Sequence, residues 1–120
     1  MRFILALFLL TSCASSKQKL HIFCWNDFIS NEVIKEFERA FDCQVVIDAY
    51  DSNETMYAKL KAGASGYDLI FPTHYYVTLM TQENLLAPFK PELLPNFKNI
   101  DWNDLNRFGF LPSTYYIPYM

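Results

Sequence analysis

The sequence predicts an α/β domain built on a parallel sheet. Three short apolar or β-branched segments alternate with three helical segments, and the connections between them are short. This order is typical of βαβ units, whose consecutive strands lie parallel. A hydrophobic content of 52% with 19% charged residues is typical of a globular chain and excludes the disordered class.

The first thirteen residues have the pattern of an export signal. Arg2 precedes an apolar run over residues 3–10, and Thr11 and Ser12 lead into Cys13. Such a run is too short to cross a bilayer, which takes about 20 residues, but it suits a signal peptide. It resembles a bacterial lipoprotein signal, in which that cysteine carries the lipid. We therefore expect lipidation at Cys13 and a polar tether over residues 14–19, with an ordinary secretory signal as the alternative.

The first strand–helix–strand unit covers residues 20–50. Residues 20–25 are nearly all apolar, which is typical of a short strand covered on both faces. Residues 31–41 place charged side chains on one side of a helix and apolar ones on the other, the latter being Val33, Ile34, Phe37, Ala40 and Phe41. Residues 44–50 are rich in β-branched side chains and predict the second strand.

The second unit covers residues 51–84. Asp51, Ser52, Asn53 and Glu54 have the chemistry of a helix start, which explains all of them. The helix is predicted to end near Ala62, before a glycine. Residues 68–72 predict a third strand and residues 73–84 a third helix. Beyond them we expect loops, a short helix over residues 101–106 and an extended segment from residue 115.

Cys24 and Cys43 are expected to stay unpaired, although an exported protein meets an oxidising compartment. If the first two strands are parallel neighbours, these residues are offset by four or five positions, about 15 Å along the strands. A disulfide requires Cα atoms within about 7 Å.

Charge and motif content exclude several classes of function. A net charge of −3 with a pI near 5.2 argues against a nucleic-acid-binding protein, which would need a basic surface. His21 and His74 lack metal-ligand spacing to the cysteines, so we expect no metal site. Motifs of serine hydrolases, P-loop proteins and zinc proteases are absent. We therefore expect neither catalysis nor a cofactor.

Two loops follow strands at the carboxyl end of the predicted sheet, where α/β proteins bind ligands. They are residues 25–28, which include Trp25 and Asp27, and residues 73–76, which include Thr73 and Tyr75. Aromatic faces and an acid together suit an ammonium ligand. The alternatives are structural: Trp25 as a core residue, and Asp27 and Thr73 as caps of the helices that follow them.

Four segments resemble the periplasmic polyamine-binding proteins of ATP-driven importers, whose ligands are spermidine and putrescine. They are residues 25–29, 50–60, 67–72 and 75–77, and the resemblance runs from about Leu20 to Met120. It implies a type II periplasmic-binding-protein fold, with two α/β lobes that close on the ligand. In that fold residues 20–120 form part of the N-terminal lobe, and the second lobe is absent.

The resemblance also implies roles and partners. The ligand-binding residues would be Trp25, Asp27, Phe28, Thr73 and Tyr75. Phe28 departs from the tyrosine usual in the family, which removes a hydroxyl group. The implied partners are a polyamine and the membrane subunits of an ABC importer. The implied protein is a monomer in the periplasm, held to the membrane by the lipid on Cys13. A binder of another small organic cation or solute, and a truncated envelope protein without transport function, remain alternatives.

Overall fold

The computed structural model describes residues 16–110 and 112–119. The predicted signal peptide and Cys13 lie outside the described residues. Within them, three strands and four α-helices alternate along the chain. The strands are β1 (Gln18–Trp25), β2 (Cys43–Tyr50) and β3 (Leu69–Ile70); the helices are α1 (Asn31–Phe41), α2 (Asn53–Lys61), α3 (His74–Gln82) and α4 (Trp102–Asn106). Two 3-10 helices, Pro91–Leu93 and Pro95–Asn99, lie between α3 and α4.

The sheet is parallel, in the order β2-β1-β3, which confirms the predicted α/β class. β1 and β2 pair along their whole length, from Gln18 opposite Cys43 to Trp25 opposite Tyr50. β3 pairs with β1 only at Ile22 and Phe23 and is shorter than predicted. The register therefore brings Trp25 and Tyr50 abreast at the carboxyl end of the sheet.

The same register separates the two cysteines of the sheet. Cys43 pairs with Gln18, six residues before Cys24, a distance of about 20 Å along the strand. The offset is somewhat larger than predicted, and both thiols are free. Burial raises the pKa of the Cys24 thiol, which keeps it protonated and unreactive.

Serine residues start the first two helices. The Ser30 hydroxyl accepts a hydrogen bond from the backbone N–H of Val33 at 3.4 Å, and Ser52 does the same for Thr55 at 3.1 Å. Both are N-cap positions. Ser30 therefore fills the capping role that was the structural alternative for Asp27.

The two faces of the sheet are covered differently. Phe23, Trp25 and Tyr50 belong to the face covered by α2 and α3, here called the helix-pair face, where Met56 and Met80 are fully buried. Ile22 and Cys24 alternate to the opposite side, which α1 covers and which is here called the α1 face.

The predicted apolar side of α1 is only partly buried. Val33, Phe37 and Phe41 are 55%, 38% and 67% exposed, and no residue of α1 is fully buried. Ile34 is half-buried, and the Phe37 and Phe41 rings contact each other with centroids 4.5 Å apart. The periodicity predicted the helix correctly, but it did not predict how much of that side would be covered.

The last described segment, predicted to be extended from residue 115, pairs with no strand. Residues 112–119 include no strand, and a hydrogen bond of 2.7 Å from the Phe89 N–H to the Thr114 carbonyl ties them to the loop before the 3-10 helices. Among the described residues, no helix is long and apolar enough to span a membrane. The same part of the chain contains no cluster of three or more side chains able to hold a metal ion.

Candidate functional site

Three strand ends meet at the carbonyl of Phe71, at the carboxyl end of the sheet. The indole Nε1 of Trp25 donates a hydrogen bond to this oxygen at 3.1 Å, and the Tyr50 hydroxyl donates another at 2.5 Å. The Trp25 and Tyr50 rings pack with centroids 4.8 Å apart. One carbonyl thus holds two aromatic side chains from neighbouring strands in fixed positions.

Tyr50 is a site residue that the sequence interpretation missed. It is 4% exposed, and burial raises the pKa of its hydroxyl to about 12, so the group remains a neutral donor to Phe71 near neutral pH. The available signal was its position: Tyr50 ends β2 as Trp25 ends β1, and parallel strands end together.

A tight turn after β1 presents Asp27 to solvent. The Phe28 N–H donates to the Trp25 carbonyl at 3.3 Å, and the Asn26 N–H donates to the Tyr50 carbonyl at 3.3 Å. Asp27 has φ 55°, a left-handed conformation that aspartate tolerates better than most residues. The turn closes without using the Asp27 carboxylate, which leaves that group exposed.

A cavity of about 250 Å³ lies beside this turn. Its lining includes Trp25, Asn26, Asp27 and Phe28 of the turn, with Cys24 of β1 and Ile47 and Ala49 of β2. The cavity therefore lies on the α1 face, and the Trp25 ring packs against Tyr50 on the helix-pair side of the same sheet end. The cavity volume is slightly below the usual range for small-molecule sites, about 300–1,000 Å³. An acid, an aromatic ring and an apolar floor suit a small cation with a hydrocarbon chain.

Phe28 belongs to an aromatic group at the rim of this cavity. Its ring lies 5.3 Å from that of Phe71 and 5.3 Å from that of Tyr119, measured between centroids. Phe28 is 37% exposed, so part of its ring faces solvent. Phe28 has no hydroxyl group, so its own contribution to the cavity lining is apolar.

Thr73 and Tyr75 lie at the start of α3 and are not among the residues that line the cavity. The Thr73 backbone N–H donates to the Asn53 side-chain oxygen at 3.1 Å, and its hydroxyl makes no capping hydrogen bond. Tyr75 is 72% exposed, with its ring edge against Tyr76. The structure thus brings Trp25, Asp27 and Phe28 together and leaves the other two in the neighbouring loop.

The polar residues at the start of α2 do more than begin a helix. Ser52 is the cap, but Asn53 holds the backbone of Thr73 and Glu54 accepts a hydrogen bond from the Tyr76 hydroxyl at 3.0 Å. The prediction that helix initiation explains all of them is therefore wrong. These contacts join the loop after β2 to the loop after β3, and no spacing in the sequence indicates them.

The chain already binds one ammonium group of its own between aromatic rings and an acid. The Lys59 Nζ lies 4.7 Å from the centroid of Phe23, 5.3 Å from that of Tyr67 and 3.1 Å from a carboxylate oxygen of Asp48. Hydrogen bonds from Tyr67 and Lys59 lower the pKa of Asp48. These contacts are the ones by which a free amine would be recognised.

Comparison with known proteins gives consistent results. The chain is 34% identical over 117 residues to the spermidine/putrescine-binding periplasmic protein of Salmonella typhimurium, covering 97% of this chain and 34% of that protein. It resembles the solved spermidine/putrescine ABC transporter substrate-binding protein of Streptococcus pneumoniae, with TM-score 0.70 and 37% identity over 75% of this chain and 28% of the other. A solved lipoprotein of Treponema pallidum gives TM-score 0.63 and 40% identity, over 66% of this chain and 25% of the other.

The matches cover most of this chain but a minor part of each relative. The chain spans about a quarter to a third of the length of the curated relatives it matches, between 24% and 34%. No protein-family model matches it. The names of these relatives describe binding and transport rather than catalysis.

Proposed function

We propose, from its similarity to periplasmic spermidine/putrescine-binding proteins, that this chain forms part of an extracytoplasmic lipoprotein that captures polyamines for an ATP-driven importer. The observation that carries this proposal is the cavity at the carboxyl end of the sheet. It combines the aromatic Trp25, the exposed acid Asp27 and the apolar Phe28.

Each residue has a distinct proposed role. The Trp25 ring, fixed by Tyr50 and the Phe71 carbonyl, offers a flat surface for methylene groups and a cation–π contact for an ammonium group. Asp27 accepts a charge-assisted hydrogen bond from that ammonium. Phe28 packs against the hydrocarbon part of the ligand and contributes no hydrogen bond.

Thr73 and Tyr75 complete the proposed binding surface from the neighbouring loop. Asn53 fixes the backbone of Thr73, and Thr73 has a hydroxyl that takes no part in capping α3. The exposed ring of Tyr75 can stack on a second segment of an extended ligand. In this proposal an extended polyamine runs from the cavity toward the start of α3.

These groups support only weak binding. One charge-assisted hydrogen bond at Asp27 is worth about 1.5–3 kcal/mol, and cation–π contacts to Trp25 and Tyr75 add about 0.5–2 kcal/mol each. Ordering a flexible ligand subtracts part of this gain, while micromolar affinity requires about 8 kcal/mol. We therefore expect this 120-residue chain to bind polyamines with a dissociation constant of millimolar or above.

Calorimetric titration of this chain with spermidine and putrescine tests the proposal. Asp27→Asn should abolish the weak binding, while Asp51→Asn, which removes an exposed acid outside the cavity lining, should leave it unchanged. If both variants lost binding equally, the interaction would be a general attraction between charges and not a specific contact with Asp27. Stronger binding of a quaternary amine than of either polyamine would favour the alternative ligand class, another small organic cation.

We also infer that Cys13 carries a lipid. Two observations support this: the apolar run that ends in Thr11-Ser12-Cys13, and similarity to a Treponema pallidum protein whose name describes a lipoprotein. Cys13→Ala should move the expressed chain from the detergent phase to the aqueous phase, while Cys43→Ala should not. Unchanged partition of the Cys13→Ala variant would show that lipid on this residue is not the anchor.

A further inference from the structure

The amino end of the sheet carries an open groove of about 1080 Å³, at the opposite end of β1 from the ligand cavity. Four basic side chains and two acidic ones line it: Lys17, Lys19, Lys35, Arg39, Glu38 and Asp42. The whole chain has a net charge of −3, so the net positive charge of this groove is opposite in sign to that of the chain as a whole.

Both acids of the groove already have partners. Asp42 forms an ion pair with Lys17 at 2.7 Å, and Glu38 accepts a hydrogen bond from the Val45 N–H at 2.8 Å. Within the described part of the chain, no ion pair joins Lys19, Lys35 or Arg39 to a carboxylate. Three cationic groups of the groove are therefore available to an anionic partner.

The position of the groove in the chain indicates which kind of anionic partner it would meet. Ser16 contributes to its lining and lies three residues after Cys13, a distance that an extended chain spans in at most about 11 Å. A lipid on Cys13 would thus hold the groove near the headgroup layer, at a distance comparable to the Debye length of about 8–10 Å, so salt screens the attraction only in part.

We propose that this basic groove docks on anionic phospholipid headgroups, an inference that rests on the proposed lipidation of Cys13. The lipid fixes the chain to the bilayer, and the groove fixes its orientation. Because β1 runs for eight residues from this end, about 26 Å at strand rise, the ligand cavity would face away from the bilayer. Each Lys or Arg close to an anionic surface strengthens the contact about fivefold.

Lysine acylation in reconstituted vesicles tests this docking. The full lipidated chain is placed in vesicles of phosphatidylcholine alone or of phosphatidylcholine with phosphatidylglycerol, and acylation rates at individual lysines are measured by mass spectrometry. Lys19 and Lys35 should react several-fold more slowly in the anionic vesicles, and high salt should restore their rates. Lys90 and Lys98, which lie outside the groove, serve as internal references and should not change.

A pair of double variants sharpens the test. Lys35→Glu with Arg39→Glu should abolish the protection of Lys19, whereas Lys90→Glu with Lys98→Glu should preserve it. Flotation with neutral vesicles is measured alongside. Flotation without protection of Lys19 and Lys35, or with equal protection of Lys90 and Lys98, overturns the docking and leaves the lipid anchor intact. Failure to float with neutral vesicles overturns the anchor itself, and the docking with it.

Discussion

The helix-pair face and the α1 face of the sheet are covered by helices of opposite character. On the helix-pair face, α2 and α3 show little segregation of apolar and polar residues, yet they bury Met56 and Met80 completely against Phe23. On the α1 face, α1 has the clearest apolar stripe in the described chain, yet much of that stripe is exposed. Local amphipathicity and actual burial are therefore separate properties in this fold.

The difference arises from what each helix packs against. α2 and α3 contact each other as well as the sheet, so their apolar side chains are enclosed from two directions. α1 packs mainly on β2, and this contact half-buries Ile34. No other described element covers the remaining part of its apolar stripe. Stability should therefore come mostly from the helix-pair face.

The strongest test of this comparison is Met80→Ala set against Val33→Ala. Met80 is fully buried, and truncating such a residue leaves a cavity that costs about 2–5 kcal/mol of the free energy of unfolding. Val33 is 55% exposed, so its truncation should cost less than about 1 kcal/mol. Urea denaturation measures both. Equal losses would mean that the α1 face is as well packed as the helix-pair face.

A smaller effect is expected for Tyr50→Phe, which removes one hydrogen bond from the helix-pair side of the site. The Phe71 carbonyl keeps its hydrogen bond from Trp25, so the loss should be about 0.5–1.5 kcal/mol in unfolding free energy. Tyr119→Phe is the control, because Tyr119 is 74% exposed. A loss above the expected range would show that the hydroxyl also fixes the loop after β3.

The acid dependence of stability gives a smaller effect on the same face. Hydrogen bonds from Tyr67 and Lys59 lower the pKa of Asp48 in the folded protein below its ordinary value of 3.8. The stabilisation is therefore present above that value and is lost as the pH falls through the lower folded pKa. Asp48 is about half exposed, so solvent reduces the contribution.

Asp48→Asn should flatten this part of the pH–stability curve, and Asp51→Asn should not. Denaturant midpoints measured from neutral pH to below pH 3.8 provide the comparison. If the Asp48→Asn variant and the unmodified chain gave parallel curves, the hydrogen bonds from Lys59 and Tyr67 to Asp48 would not be the source of the acid dependence.

The smallest effect is predicted for Phe41→Gln on the α1 face. Phe41 ends α1 and is 67% exposed, so the unfolding free energy should change by less than about 0.5 kcal/mol. Light scattering should show less self-association, since an apolar ring leaves the surface. A loss comparable to that of Met80→Ala would indicate that this ring is covered in solution.

Sequence patterns predicted elements better than contacts. Residues 31–41 were predicted as a helix and form one, because apolar spacing is a local signal; the cap, Ser30, was not predicted. The strand predicted over residues 68–72 is only two residues long in the structure. Asp68 and Phe71, on either side of it, hydrogen-bond to β1 but do not continue its regular pairing. The parallel pairing of β1 and β2 was predicted from strand order, whereas the register differs by one or two residues from the predicted one; Trp25 lies at the carboxyl end of the sheet, as predicted.

The remaining parts of the site depend on contacts between distant loops. Asn53 reaches Thr73 across twenty residues of sequence, and the Phe71 carbonyl accepts hydrogen bonds from two other strands. Neither contact has a periodicity or a motif of its own. Resemblance to a family supplied Thr73 and Tyr75 as candidates, and their roles in binding stay predictions.

The left-handed backbone at Asp27 also restricts which amino acids this position can accept during evolution. At φ 55°, aspartate, asparagine and glycine are tolerated, whereas β-branched side chains are strongly disfavoured. A library of all substitutions selected only for folding should therefore retain those three residues. The same library selected for amine binding should retain aspartate alone, so the two selections would separate the requirement of the turn from that of the ligand.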